Sequence, residues 1–292
     1  MDWKESSTDE IAHYYHNEFE QRFSQIPNFI RESQPKEIGI AFPEAYPVKS
    51  EGIPPKEFVR RDTFGRRDQL NSWEGKNSIL EFVQSPASND PIGGDHQLAS
   101  PEVVSEPAIP EAVYYATDFH DRNWLLTVDI DAKDVALQWA ESVVDQDTSK
   151  LTSEQIKSEA GVIEAEPAGY PYRFEDIDQT LNYGFEVQEY FRDHLGTNDT
   201  QVVYSGQGCH IYLYDPDKMY RYSETNRNLI AKTLINRLNI PIDKPVTTDE
   251  SRVIRLPYSL HTGVSRVVTP IYDADFDYRN KAKPDFLKPA QE

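Results

Sequence analysis

A chain of 292 residues is long enough to bury a sizeable core, and its 17 Tyr, 13 Phe and recurring apolar runs mark it as folded rather than disordered. Fifty Asp and Glu against 30 Lys and Arg give a formal net charge of −20, which in ordinary salt argues against binding a polyanion, because such binding depends on phosphate–cation pairing. The single cysteine, Cys209, excludes an internal disulfide and a Cys-rich zinc knuckle.

The opening MDWKESSTDE lacks the basic and apolar regions of a secretion signal, and no stretch approaches 18 uncharged apolar residues. A cytoplasmic protein with no membrane partner is expected. Ile11, Tyr14, Tyr15, Phe19 and Phe23 recur at spacings of three and four, predicting an amphipathic helix capped near Thr8 and ending before Pro27. Residues 36–48 read as a strand and a turn. An arginine cluster follows (Arg60, Arg61, Arg66, Arg67), and 84–112, rich in Pro, Ser, Asp and Gly, reads as a long surface loop.

Strand signals then dominate: 113–119, 124–131, 201–206 and 209–214, with later ones at 252–258 and 266–272. Helical periods lie between them at 132–144, 174–196 and 223–238; the second ends on Gly196, which suits a C-cap. Residues 241–263 read as strand and turn. The mixture predicts an α/β (α+β) chain, with helices flanking a mixed central sheet in a single domain over 1–275, followed by a loose polar tail over 276–292.

Three stretches carry chemistry. In WLLTVDID, Asp129 and Asp131 end an apolar strand, and a period of two places both carboxylates on one face. Like charges that close call for a cation between them, although a solvated strand end with Asp134 as one more surface acid has the same pattern. In YSGQGCH, Ser205 and the glycines suit either a phosphate-cradling loop or a tight hairpin, with His210 and Tyr212 sharing a face of the next strand. In IDKPVTTDESRVIRLPYSLHTG, Asp243, Asp249, Arg252, Arg255 and His261 suit either a metal-bound triphosphate or a set of surface ion pairs.

Together, DID, then SGxGxH, then IDxPVTxDxxRxIRLPxSLH resemble in order the motifs of the catalytic small subunit of archaeal and eukaryotic DNA primases. YYHNEFEQRFSQIPNFIRE and EFVRRDTF are similar to that family's opening helix and FVRxxSF element, so the resemblance spans most of residues 11–271. It implies a primase–polymerase core in which Asp129, Asp131 and Asp243 are catalytic and bind the metal. It also implies that Ser205, Gly206, His210, Arg60, Arg255 and His261 contact nucleotide, with Asp249 a weaker candidate. The implied cofactor is Mg²⁺ or Mn²⁺ in a two-metal site, and no structural zinc is expected.

The implied activity is template-directed synthesis of short RNA or DNA primers on single-stranded DNA from nucleoside triphosphates, with a large primase subunit as a further partner. The alternative is a non-catalytic, primase-like accessory subunit that binds DNA or a replication partner. Four departures mark a divergent member, from a haloarchaeon or a mobile element of such a host. No cysteines lie between the first two motifs, the second motif is one residue short and lacks its arginine, SLH is followed by TGVSR rather than a lysine-bearing GKTG, and little chain follows the third motif. The acidity fits the same reading, because at very high salt the Debye length falls to about 3 Å and distant carboxylates hardly repel a polyanion. An acidic partner-binding surface is the other reading of that charge.

Overall fold

The structure, a computed structural model, describes residues 3–33, 35, 37–46, 56–62, 73–74, 78–84, 111–117, 125–145, 147–215, 217, 223–249 and 252–288. Most of the expected surface loop at 84–112 lies outside these, as do Arg66 and Arg67. The α+β class is what the chain shows. Among the described residues, the strands divide between two four-stranded sheets, with a two-stranded pair besides. No helix among the described residues is long and apolar enough to cross a membrane.

The chain forms two compact units, the first drawn from residues 1–123, 251–269 and 277–292. It opens on one helical run: α1 (Thr8–His13), a π-helical turn (Tyr14–Glu18) and α2 (Phe19–Phe23). Ser7 rather than Thr8 caps it; the Glu10 N–H donates to Ser7 Oγ at 3.3 Å, and the Ser7 N–H donates to the Glu10 carboxylate at 2.9 Å. The stripe legible in the sequence is the buried one. Tyr14, Tyr15, Phe19 and Phe23 stack edge to face with centroids 5.3–5.5 Å apart. After α3 (Asn28–Ser33), the strands β1 (Glu37–Tyr46), β2 (Lys56–Asp62), β3 (Ala112–Ala116) and β7 (Val253–Arg255) form a sheet of order β2-β1-β3-β7. Its neighbours run antiparallel. α4 (Ile79–Gln84), the pair β8 (Leu260–His261) and β9 (Arg266–Val267), and α10 (Tyr278–Lys281) complete the unit.

Two features of this unit were not legible in the sequence. The stretch expected to be a loose tail is docked: Tyr278 and Ala282 are buried, and the buried Glu18 carboxylate accepts the N–H groups of Asp285 (2.6 Å) and Phe286 (3.3 Å). Burial lifts the Glu18 pKa above the ordinary value of 4.5 despite those bonds. The turn between β7 and β8 is also pinned by the first helix. Tyr258 sits at φ 67°, where only a held side chain persists. Its carbonyl accepts the Tyr14 hydroxyl (2.5 Å), and the Leu260 N–H donates to the Tyr15 hydroxyl (3.2 Å).

The second unit comprises residues 124–250 and 270–276. β4 (Leu126–Asp131), β5 (Thr200–Tyr204), β6 (Gly208–Leu213) and β10 (Thr269–Ile271) form a sheet of order β10-β5-β6-β4. The strand expected over 266–272 is therefore broken at Val268 into β9 and β10. Five helices belong to this unit among the described residues: α5 (Ala132–Val143), α6 (Ser153–Glu159), α7 (Phe174–Tyr190), α8 (Glu224–Arg237) and α9 (Lys244–Thr248). A π-helical turn prolongs α7 to Gly196, whose φ of 66° and ψ of 37° make it the expected left-handed C-cap. α7 packs on β4, β5 and β6. There the Cys209 thiol donates to the Thr180 carbonyl at 3.0 Å, and a Cβ on Gly184 would meet Cys209 Sγ and Val202 Cγ1 at 3.0 Å. That contact marks the face of the sheet that α7 covers; Asp129, Asp131 and His210 belong to the opposite face.

Candidate active site

Among the described residues, β4 is an edge strand of its sheet, antiparallel to β6, with Thr127 opposite Tyr212, Asp129 opposite His210 and Asp131 opposite Gly208. Directly opposed residues point to the same face, so these six positions form one ladder. Val128 and Ile130, one position out of step, lie on the face that Cys209 and Ile211 share and are fully buried. Period two thus sorts the strand into an apolar side and an acidic side, as the sequence predicts. His210, 5% exposed, sits between partners: its Nε2 lies 3.5 Å from Asp129 Oδ1, and its Nδ1 lies 3.2 Å from the Tyr212 hydroxyl.

YSGQGCH resolves as a hairpin between β5 and β6. The Ser205 N–H donates to the Gly208 carbonyl at 3.0 Å, the Tyr204 hydroxyl donates to the Gly206 carbonyl at 2.7 Å, and Gly206 takes a φ of 107°. Gly208 has a different role. A Cβ there would stand 2.1 Å from the Ile130 carbonyl oxygen and 3.1 Å from Asp131 Cα, so glycine lets β6 approach β4 beside the second aspartate.

Asp243 joins this edge through the backbone, its N–H donating to the Asp129 carbonyl at 2.8 Å. It also caps α9, accepting the Val246 N–H at 3.1 Å, and Pro245 falls in the first turn of that helix, where its missing N–H costs nothing. The expected strand and turn is therefore a short helix at this point. Asp249 lies just beyond it, at the C-cap.

Two neighbours were not singled out as site residues in the sequence. Lys133 Nζ lies 2.5 Å from Asp131 Oδ2. Asp134 follows in the first turn of α5 and is half-buried. Burial raises the Asp134 carboxyl above the ordinary value of 3.8; the negative charges of Asp131 and Asp243 add to that, and Lys133 opposes it. Partial burial works against the Lys133 ammonium, but the hydrogen bond and charge of Asp131, with the charges of Asp134 and Asp129, hold its pKa above the usual 10.5. Burial pushes the Cys209 thiol far up, and the charges of Asp129 and Asp131 behind the sheet push it further, so it is no nucleophile. A cavity of about 530 Å³ opens between α5, α8 and α9, with Asp134 and Asp243 in its wall.

Carboxylate oxygens are the donors that hard divalent cations prefer, and the Lys133 ammonium already stands as a cation against Asp131, so the residues suit Mg²⁺ or Mn²⁺ in kind. Among the described residues, no group of three or more His, Cys, Asp or Glu side chains is arranged to hold a metal ion. The remaining predicted residues lie in the first unit. Arg60 stands opposite Gly39 in the β1–β2 pairing, Arg255 holds its guanidinium 5.4 Å over the Tyr114 ring, and His261 ends β8.

No protein-family profile matches the chain. It is 41% identical over 90 residues to an uncharacterized DNA primase small subunit-like protein of Archaeoglobus fulgidus, a match covering 30% of this chain and 31% of that protein. It is 62% identical over 37 residues to the DNA primase small subunit PriS of Halorubrum lacusprofundi, covering 13% of this chain and 10% of that one. The similarity to primase small subunits is therefore strong but local.

Proposed function

We propose that the chain is a nucleotidyltransferase that synthesises primers on a single-stranded DNA template from nucleoside triphosphates. The observation that carries this reading is the ladder of β4 and β6: two carboxylates on one sheet face, a histidine opposed to the first, and Asp243 tied to the same residue's backbone. The local similarity to two primase small subunits supports it.

In this reading Asp129, Asp131 and Asp243 hold Mg²⁺ or Mn²⁺. When bound, the ions lower the pKa of a primer 3′-hydroxyl and stabilise the leaving pyrophosphate. The 3′-oxygen forms a bond to the α-phosphorus, the α–β phosphoanhydride bond breaks, and the hydroxyl proton leaves to solvent. His210, held through Nδ1 by the Tyr212 hydroxyl, would turn its Nε2–H from Asp129 to the triphosphate once the aspartate binds metal. Ser205 and Gly206, on the hairpin beside it, offer hydroxyl and backbone N–H donors to the same phosphates. The acidic surface is read as adaptation to high salt.

The test is primer synthesis by the wild-type chain on single-stranded DNA, with Mg²⁺ or Mn²⁺ in high KCl and labelled ribo- or deoxynucleotides. Short labelled products whose composition follows the template are expected. Products that ignore the template, or none under any of these conditions, would count against the reading. A second reading, a non-catalytic primase-like accessory subunit, is favoured by one observation: the Asp131 carboxylate is engaged by Lys133. It predicts DNA or partner binding without synthesis.

A further inference from the structure

The geometry points to Lys133 as a built-in counter-cation of the acidic edge, one that a divalent ion must displace from Asp131 before the edge can be loaded. This inference rests on the metal-binding role proposed for Asp129 and Asp131.

Three observations carry it. First, Asp131 occupies the N-cap position of α5, where an aspartate ordinarily accepts a backbone N–H from the first turn, yet its side chain makes no such bond. Its Oδ2 is turned instead to Lys133 Nζ at 2.5 Å. Second, Lys133 lies two residues along the chain from Asp131, so the contact needs no long-range folding and closes a short local loop that can open without disturbing the sheet. Its side chain is 52% exposed, which leaves it free to swing into solvent. Third, β4 carries Asp129 and Asp131, α5 opens with Asp134, and the Asp243 N–H donates to the Asp129 carbonyl at 2.8 Å, so four acids lie along this edge; Lys133 is paired directly with one of them, while Lys157 acts on Asp134 from further off. The Lys133 charge relieves their mutual repulsion when no metal is bound, and repels a divalent ion that approaches the same oxygens.

The arrangement therefore makes metal binding an exchange of one cation for another. Removing the ammonium should tighten binding and, in the same step, weaken the metal-free protein. A salt-screened, partly exposed pair is worth a few-fold at most on its own. The repulsion of a doubly charged ion adds to that, so a gain of about fivefold or more is expected.

Manganese binding, followed by the loss of the free-ion signal in electron paramagnetic resonance, tests this on the full chain. Lys133→Met and Lys133→Gln should each bind Mn²⁺ about fivefold more tightly than wild type, while Lys133→Arg keeps the wild-type affinity. Both neutral variants should melt lower than wild type without metal and regain the difference with Mn²⁺. Neutral variants that bind no more tightly than wild type, while Asp129→Asn abolishes binding, would overturn the counter-cation role and leave the proposed metal site standing. Equal, weak binding by wild type, Lys133→Met and Asp129→Asn alike would remove the metal site itself, and the counter-cation role with it.

Discussion

Asp129→Asn is expected to reduce primer synthesis by on the order of 10³-fold while leaving the fold unchanged. The replacement is nearly isosteric and changes only a side chain that is 14% exposed, so the β4–β6 pairing loses no backbone bond. It removes the charge proposed to attract the metal, and the carboxylate that faces His210 Nε2 at 3.5 Å. A bound metal contributes several kcal/mol of transition-state stabilisation, and about 4 kcal/mol corresponds to a factor of roughly 10³ in rate. Asp131→Asn should fall by a similar amount. Asp145→Asn, an exposed acid beyond the end of α5, should keep the wild-type rate. Steady-state nucleotide incorporation measures the loss, and far-ultraviolet circular dichroism checks the fold. If Asp129→Asn kept wild-type turnover, β4 would carry no catalysis.

The second large effect is on stability. Gly208→Ala places a methyl 2.1 Å from the Ile130 carbonyl oxygen, a backbone atom that cannot turn aside. Either β6 moves away from β4 or the strands lose their register beside Asp131. Overpacking of this kind costs about 2–3 kcal/mol, or on the order of 5–10 °C in melting temperature for a chain of this size. Gly161→Ala is the contrast: its Cβ would meet nothing within 4 Å, and only its φ of 72° opposes the change. A cost of about 1 kcal/mol is expected there. Thermal unfolding of the two variants side by side checks the difference, and equal melting temperatures would show that the close approach at Gly208 is dispensable.

Gly208 also shows how far the sequence could be read. SGQGCH has the same letters whether its glycines cradle phosphate or allow a tight hairpin, and the structure assigns Gly206 to the turn and Gly208 to a strand-to-strand contact. That contact involves Ile130, far away in the chain, and no local pattern announces it. The paired aspartates were legible because a period of two is a property of the strand itself, and so was the shared face of His210 and Tyr212. Helices with a clear apolar stripe, such as α7 with its glycine stop, were legible for the same reason.

What escaped depends on non-local partners or on competing local signals. α9 looked like strand and turn because Val246, Thr247 and Thr248 favour strands, and only the Asp243 cap with Pro245 behind it makes a short helix of them. The segment 277–288 has too few apolar residues to announce that it docks, and the groups that hold it belong to Glu18. Lys133 and Asp134 read as ordinary surface charges; their significance comes from where β4 delivers them. The division of strands between two sheets is a matter of pairing, which composition does not encode.

The central claim is that Asp129, Asp131 and Asp243 form the metal-binding centre of a nucleotidyltransferase. The most direct measurement is a crystal structure of the full chain with Mn²⁺ and a nucleoside triphosphate, with manganese located by its anomalous scattering. The account predicts manganese peaks at about 2.1 Å from the carboxylate oxygens of Asp129 and Asp131, with Asp243 contributing, Lys133 turned away from Asp131, and the triphosphate against His210 and the 205–208 hairpin. Manganese bound elsewhere, with Lys133 still paired to Asp131 and the nucleotide away from β4, would contradict it.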